Sequence, residues 1–246
     1  MSVEFNAETG QVSLDRVTFD ALLAMGAGVD PPAKGLAQAR ESGLVSGASI
    51  HPEVRPAIGA AADPVAIGRL EMQNEQGSLI VSECWVAREA ATYLVGTPGD
   101  QLELVATPPS HFPISVARLV GLSPRSRTPF QPWRMPVEMV DDVFSDDEAR
   151  RGEAAATIAN TTDDPDARAY TEALAKGPWW FWTLEVHWPG QPDGEGARSL
   201  HIVDTPRGMA IMSLSDELIA VDPTNPTEVF QLLTAILPRD DELAFT

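Results

Sequence analysis

Basic residues are scarce in this chain, and lysine occurs only at Lys34 and Lys176. The 246 residues include 17 Lys and Arg against 36 Asp and Glu, which gives a formal net charge of −19. Nucleic-acid phosphates and anionic membrane surfaces are bound mainly through Lys and Arg side chains. The composition therefore argues against both classes of partner, and we expect no nucleic acid among the ligands.

Cysteine and long apolar runs are lacking as well. Cys84 is the only cysteine, so no intramolecular disulfide can form, and its apolar neighbours predict a buried structural thiol in a reducing compartment. No apolar run reaches the roughly 18 to 20 residues that a membrane-spanning helix requires. The first ten residues carry Glu4 and Glu8 where a signal peptide would carry positive charge. We therefore expect a soluble, cytoplasmic protein that does not insert into membranes.

The motifs of common catalytic sites are missing from the sequence. It contains no GxSxG elbow, Walker loop, GxGxxG, HExxH or CxxC motif. We therefore predict no enzymatic activity, no catalytic residue and no cofactor. One enzyme-class alternative stays open, because His187 and His201 lie on neighbouring predicted strands and could bind zinc in a hydrolase, with Asp204 or Glu185 as a third ligand. The simpler interpretation places both histidines on a half-solvated sheet face, with no metal.

Apolar residues are plentiful, and they recur in two similar halves. At an offset of 116 positions, five residues of the first half match five of the second: Asp100, Leu102, Val105, Val116 and Val120 match Asp216, Leu218, Val221, Leu232 and Ile236. Each copy has a strand pair, a Pro-rich corner and an amphipathic helix. Since only two copies fit, we predict one compact body, with a first α/β repeat at residues 1–122, a Pro- and Arg-rich bridge at 123–135 and a second repeat at 136–246.

Both halves are predicted to begin with helices and to continue as an antiparallel meander. Helix signals occur after Thr18 and at residues 33–42, 52–62, 136–144 and 165–177, with a last helix that starts at Asn225-Pro226. Alternating or apolar runs predict strands at 65–73, 79–87, 92–96, 101–106, 179–188, 199–204, 208–213 and 217–221, with a polar hairpin loop at 189–196. The predicted fold class is α+β, a pseudo-twofold duplicated body with antiparallel sheets flanked by helices.

The strand from Trp179 to Trp188 is the densest aromatic segment. Side chains alternate between the two faces of a strand, so one face is expected to pack in the core; it carries Trp180, Trp182, Leu184, Val186 and Trp188. Trp179 and Phe181 lie on the opposite face. Together with Trp85, at the equivalent sheet position of the first half, they are predicted to form an exposed apolar patch that binds a protein partner.

The order of several short motifs resembles that of the EspG family, the cytosolic chaperones of ESX (type VII) secretion in high-GC Gram-positive bacteria. The motifs are Gly43-Leu44-Val45, Ile50-His51-Pro52-Glu53, Pro108-Pro109, Leu119-Val120-Gly121-Leu122, Trp182-Thr183-Leu184-Glu185-Val186, Ile202-Val203-Asp204-Thr205-Pro206-Arg207-Gly208 and Leu232-Leu233-Thr234-Ala235-Ile236-Leu237-Pro238. The resemblance extends over nearly the whole chain. It depends on the order of the motifs and includes no catalytic fingerprint.

The resemblance implies a pseudo-twofold α/β body without enzymatic activity. It also implies a chaperone that holds the apolar tip of a helical PPE-type substrate, usually paired with a PE protein, and keeps it soluble in the cytosol. Without this client we expect a monomer, because the duplication itself supplies the surface that a dimer of half-units would bury. The chief alternative is an acidic adaptor or immunity-type protein, whose charge-led binding would weaken at high ionic strength. A small-molecule sensor is a further alternative.

Overall fold

A computed structural model describes residues 3–6, 11–97, 101–125, 129–191 and 194–243. Its strands are β1 (Glu4–Asn6), β2 (Gln11–Leu14), β3 (Val45–Ser46), β4 (Ser49–Ile50), β5 (Ala66–Asn74), β6 (Leu79–Val86), β7 (Ala91–Thr97), β8 (Gln101–Thr107), β9 (Trp133–Pro136), β10 (Trp180–Gln191), β11 (Gly194–Thr205), β12 (Gly208–Ser215) and β13 (Leu218–Thr224). Its helices are α1 (Arg16–Gly26), α2 (Ala33–Glu41), α3 (Arg55–Ala62), α4 (Phe112–Leu119), α5 (Val140–Val143), α6 (Glu148–Ala159), α7 (Pro165–Lys176), α8 (Pro226–Ala235) and α9 (Asp240–Leu243), with 3-10 turns at Pro109–His111 and Val137–Met139.

One antiparallel sheet dominates the described part of the chain, with eleven strands in the order β1-β2-β8-β7-β6-β5-β10-β11-β12-β13-β9. Strands β3 and β4 form a separate hairpin. The meander β5 to β8 and the meander β10 to β13 join where β5 pairs with β10, with Leu70 opposite Leu184. The predicted fold class, α+β with antiparallel sheets flanked by helices, is confirmed. The two predicted sheets are continuous with each other.

Helices cover the two faces of the sheet in different places. On one face α4 and α8 pack together over the centre, against a buried cluster that includes Leu70, Tyr93, Trp182 and Leu184. On the other face α1 to α3 cover the flank formed by the first half, and α5 to α7 cover the flank formed by the second half. Each large apolar side chain that is fully buried in these clusters contributes about 1.5–3 kcal/mol to stability. Within the residues that the structure describes, the centre of the sheet is therefore covered by helices on one face only.

Capping side chains mark the starts of α1, α6, α7 and α8. Asp164 and Asn225 cap α7 and α8, each with proline as the first helical residue, as predicted. At α1 the cap is Asp15 rather than Thr18: the Asp15 carboxylate accepts a hydrogen bond from the backbone N–H of Thr18 at 2.8 Å. Burial would by itself raise the pKa of Asp15, but the hydrogen bonds from Thr18 and Gln38 outweigh it and hold this pKa below its ordinary value.

The opening of the second half differs from the prediction. Residues 133–136 form the edge strand β9, in which Trp133 pairs with Val221, so the predicted 136–144 helix begins too early; a 3-10 turn occupies Val137–Met139 and α5 follows at Val140–Val143. Trp133 and Met135 are buried while Arg134 is exposed, and this two-residue period fixes a strand. The predicted loop at 189–196 is also wrong for the most part, because β10 continues to Gln191 and β11 begins at Gly194. Residues 192 and 193 lie outside the described residues.

The core positions of the two halves align at an offset of 117, one more than the sequence comparison predicted. Phe112 and Val116 of α4 correspond in this way to Val229 and Leu233 of α8, and all four are fully buried. The spacing of Val229, Leu232, Leu233 and Ile236 predicts one core face for α8, but Leu232 is 40% exposed. Asp100, another position of the predicted match, lies outside the described residues, and the residue boundaries of the two repeats stay a prediction.

The spacing of Ile114, Ala117 and Val120 predicts that they share the apolar face of the helix that ends at Gly121, but the side chain of Ile114 is 42% exposed. Ile114 is two residues from Phe112 and two from Val116, and residues two apart do not share a helix face. Ile114 therefore points away from the sheet into solvent.

Among the described residues, no helix is both long and apolar enough to cross a membrane.

Candidate binding face

The centre of the sheet is accessible between the two helical flanks. Along β5 and β10, alternate side chains such as Ala66, Leu70, Leu184 and Val186 are buried beneath α4 and α8, and the side chains between them point to the other side. We call this second surface the open face. It consists of Ile67, Arg69 and Glu71 on β5, Thr183, Glu185 and His187 on β10, Val81 and Glu83 on β6, and His201 on β11, all of them exposed or half-buried.

The open face has the width of a helix. Four neighbouring strands, β6, β5, β10 and β11, form its floor. With a spacing of about 4.8 Å between strands, the floor spans about 14 Å between the outermost two. An α-helix with its side chains is about 10–12 Å in diameter. The floor is therefore about as wide as one helix, and α3 contacts β6 and α7 contacts β11 at its two margins.

Apolar side chains lie at the two ends of the open face and charged side chains at its centre. Ile67 is 49% exposed near the start of β5. At the other end, Leu79 and Phe181 lie on either side of Gln73 in the pairing of β6, β5 and β10, and Leu79 is 59% exposed. The centre carries the ion pairs Arg69–Glu71 at 2.6 Å and Arg16–Glu83 at 2.9 Å. Such exposed pairs contribute about 0–1 kcal/mol each to stability, so they do little to hold the fold together.

The structure corrects the exposure that was expected of the aromatic patch. Trp179 is 1% exposed and contacts Phe144 edge to face, with ring centroids 5.3 Å apart. Trp85 is 8% exposed and stacks on Phe19 of α1. Phe181 is half-buried at the margin of the open face and stacks on Phe144 at 4.6 Å. The prediction of exposed side chains is therefore wrong for Trp179 and Trp85, while their role in partner binding stays a prediction.

Trp179 and Trp85 are buried because the helices of each flank cover the side chains at the outer parts of this face. Trp179 precedes β10 and packs under α5 to α7, and Trp85 packs under the helices of the first half. Trp85 is also not equivalent to Phe181, because β6 corresponds by position to β11 rather than to β10.

Trp180, predicted to be in the core, is 41% exposed. The other four predicted core residues of this strand are buried; they are Trp182, Leu184, Val186 and Trp188.

The two histidines of the zinc alternative do not come together. His187 lies opposite Ala197, and His201 lies opposite Thr183, so they are four positions apart along the paired strands. At about 3.4 Å per residue this separation is about 14 Å along the strands, too long for two ligands of one zinc ion. Among the described residues, no group of three or more His, Cys, Asp or Glu side chains is arranged to hold a metal. The hydrolase alternative therefore loses its geometric basis.

Cys84 is fully buried on the covered face of the sheet, as the sequence predicted. Burial, with a smaller contribution from the Glu83 carboxylate, raises the pKa of its thiol to about 12. Since the thiolate is the reactive form of cysteine, a thiol with this pKa is unreactive at neutral pH. Cys84 therefore has a packing role.

Sequence reasoning missed two arginines that join separate segments of the chain. Arg151 of α6 is 5% exposed and donates hydrogen bonds to the carbonyl oxygens of Ser145, Glu75 and Ala175, at 2.7, 3.2 and 3.4 Å. It joins the end of α5, the β5–β6 turn and the end of α7. The only local signal is a basic residue on the side of α6 that also carries buried alanines, which sequence alone does not distinguish from a solvated arginine.

A second arginine ties the segment between the halves to the sheet. Arg125 forms a two-pronged ion pair with Asp204 of β11. Burial raises the pKa of Asp204, and the Arg125 guanidinium opposes that rise. Arg125 therefore compensates a carboxylate that would otherwise be buried without a charge partner.

The fold and the open face together define an α+β protein of pseudo-twofold architecture, with one sheet face closed at the centre and the other accessible. No family model and no curated protein matches the sequence. Among solved structures, the chain is similar to the type VII secretion system chaperone EspG5 of Mycobacterium tuberculosis, whose structure was solved in complex with a PE25–PPE41 dimer. The two chains are 15% identical, with a TM-score of 0.60, over 93% of this chain and 97% of EspG5. At this identity the likeness shows a shared fold, and it confirms at that level the resemblance to EspG predicted from the sequence motifs.

Proposed function

We propose that this protein is a cytoplasmic secretion chaperone of the EspG type. It binds the apolar tip of a helical PPE-type substrate of type VII secretion, usually paired with a PE protein, and keeps that substrate soluble without catalysing a reaction. The observation that carries the proposal is the open face, which has the width of a helix and lies at the centre of a fold shared with EspG5. EspG5 itself was solved with a PE–PPE dimer bound.

The distribution of apolar side chains supports binding of a helical tip. Ile67 at one end of the open face and Leu79 and Phe181 at the other present apolar surface on either side of the charged centre. Every 100 Å² of apolar surface buried there contributes about 2.5 kcal/mol before the entropy cost of association is subtracted. Within the predicted contact set, Phe181 is the residue that we propose to touch the client directly. Trp179 and Trp85 support the two helical flanks on either side.

The proposal is tested by co-expressing the protein with the helical secretion substrates encoded beside its gene. Size-exclusion chromatography with light scattering, at low and at high salt, then measures whether a complex of defined mass forms. A complex that persists at high salt supports binding of an apolar tip. A complex that dissociates as salt rises favours the acidic-adaptor alternative, for which the net charge of −19 is the supporting observation.

A matched pair of variants tests whether the open face is the binding surface. Ile67→Glu places a charge on the open face, whereas Ile114→Glu places the same charge on α4, on the other side of the molecule. The two isoleucines are 49% and 42% exposed, so both variants should fold. We expect Ile67→Glu to weaken client binding at least about tenfold, because a carboxylate would be desolvated under the apolar tip. Equal affinities for the two variants would contradict the assignment of the open face.

A further inference from the structure

The carboxylates of the open face differ in how well they are neutralised. Glu71 is held by the guanidinium of Arg69 at 2.6 Å, and Glu83 by that of Arg16 at 2.9 Å. Glu185 instead has His187 as its neighbour, with 3.8 Å between the ring nitrogen and the carboxylate oxygen, and a histidine is charged only when it is protonated. Within the described residues, no Lys or Arg nitrogen lies within 4 Å of the Glu185 carboxylate. The charge of Glu185 is therefore the least compensated of the three.

Arg69 is a cross-strand neighbour of Glu185, but its guanidinium bonds to Glu71 instead. Arg69 lies directly opposite Glu185 in the pairing of β5 with β10, the arrangement in which a cross-strand ion pair would normally form. Both its Nε and its Nη2 bond to Glu71 on its own strand, each at 2.6 Å. Glu185 thus stays half-exposed at the centre of the floor, with 51% of its side chain accessible.

We propose that Glu185 is a specificity residue of the open face and that it pairs with a Lys or Arg at the tip of the bound helical partner. The inference rests on the proposed function, because it assigns partner chemistry to the same face. A partner that covers Glu185 removes water from its carboxylate, and this loss must be offset by a new cation or hydrogen-bond donor. A tip that carries a basic residue among its apolar side chains supplies that cation, and a wholly apolar tip does not.

The charge of the whole molecule favours the same class of partner. A net charge of −19 produces a negative field that attracts a basic group and orients it during approach. The same field disfavours a second copy of this chain as the occupant, because that copy is equally acidic and would present the same carboxylates. The occupant that fits is therefore a different protein, with a helical tip that combines apolar and basic side chains.

The test compares Glu185→Lys and Glu185→Gln with a charge-matched control, Glu138→Lys. Glu138 is exposed beside the edge strand β9, far along the sheet from the open face. The probe is the purified helical substrate pair that co-elutes with the unaltered protein, and the affinity is measured by isothermal titration at two salt concentrations. We expect Glu185→Lys to weaken binding by about 10- to 100-fold and Glu185→Gln by a smaller factor, while Glu138→Lys stays within about twofold of the unaltered protein.

A charge exchange then identifies the partner residue. Each Lys or Arg at the client tip is changed to Glu in turn, and one of these changes should restore affinity for Glu185→Lys while weakening binding to the unaltered protein. If Glu185→Lys binds like Glu138→Lys, or if no exchange restores binding, the role of Glu185 is refuted, although the chaperone function still stands. If the unaltered protein binds no helical substrate, the proposed function itself fails, and this inference fails with it.

Discussion

Replacing Arg151 with methionine should destabilise the protein by about 2–4 kcal/mol. The guanidinium is 5% exposed and donates to three backbone carbonyls, and among the described residues no carboxylate lies within 4 Å of it. Methionine keeps most of the apolar stem and removes every donor. The variant therefore isolates the hydrogen bonds from the packing.

The magnitude follows from the geometry of the three bonds. Hydrogen bonds from a charged donor contribute about 1.5–3 kcal/mol each at good geometry, and the bond to Ser145 at 2.7 Å qualifies, whereas those to Glu75 and Ala175 at 3.2 and 3.4 Å are weaker. Removing a buried charge also returns its desolvation cost, which reduces the loss. A net loss of about 3 kcal/mol corresponds to a fall in Tm of roughly 6–12 °C for a chain of this size.

Thermal and urea unfolding, followed by circular dichroism, measure this loss, and Arg150→Met is the control. Arg150 is the neighbouring residue on α6, but it is exposed and pairs with Asp142 at the surface, so its replacement should cost less than about 1 kcal/mol. If Arg151→Met unfolds within about 1 °C of Arg150→Met, the role assigned to the buried guanidinium is refuted. Because Arg151 holds one flank of the open face, its loss should also weaken client binding at temperatures where the variant is still folded.

Two further predictions concern stability. Trp179→Ala should lower the free energy of unfolding by about 3–5 kcal/mol, because the Trp179 side chain is 1% exposed. Trp180→Ala should lower it by less than about 1.5 kcal/mol, because Trp180 is 41% exposed. Urea unfolding measures both losses, and equal losses would contradict the burial of Trp179. The pKa of Glu242 is held below its ordinary value because its carboxylate accepts the backbone N–H of Arg239 and contacts the guanidinium groups of Arg198 and Arg239. A depressed pKa in the folded state stabilises at neutral pH, and this contribution is lost as the pH falls through that pKa. Glu242→Gln should therefore be less stable than the unaltered protein at pH 7, and the difference should shrink as the pH is lowered; a difference independent of pH would refute the linkage.

Much of the local structure could be predicted because its causes are local. Asp164-Pro165 and Asn225-Pro226 specify helix starts through a cap and a fixed φ angle, whatever the surroundings. The alternation along β5 likewise records that one of its faces is buried. The edge strand β9 could not be predicted in this way, because its four residues form a strand only through pairing with β13. Its partner strand, β13, lies more than eighty residues further along the chain.

The candidate site was predicted only in part, for the same reason. Alternation placed Phe181 correctly on the face opposite Trp182 and Leu184. It could not show where helices would cover that face, so Trp179 was expected to be exposed and Trp180 to be buried, and both expectations were wrong. The polar residues of the open face, such as Arg69 and Glu185, carry no sequence signal that separates them from any solvated strand face.

The duplicated architecture explains why the accessible surface lies at the centre of the molecule. In each half, the helices that precede the meander pack on the outer strands of one face, and the helix that follows it packs on the other face near β5 or β10. When two such halves join through β5 and β10, the following helices α4 and α8 meet and close one face. The preceding helices stay on opposite flanks, where α3 contacts β6 and α7 contacts β11, and within the described residues they leave the centre of the other face uncovered. Neither half contains this surface by itself, because its floor needs strands from both. A variant that weakens the β5–β10 pairing should therefore lose client binding before it loses the helical content of either half.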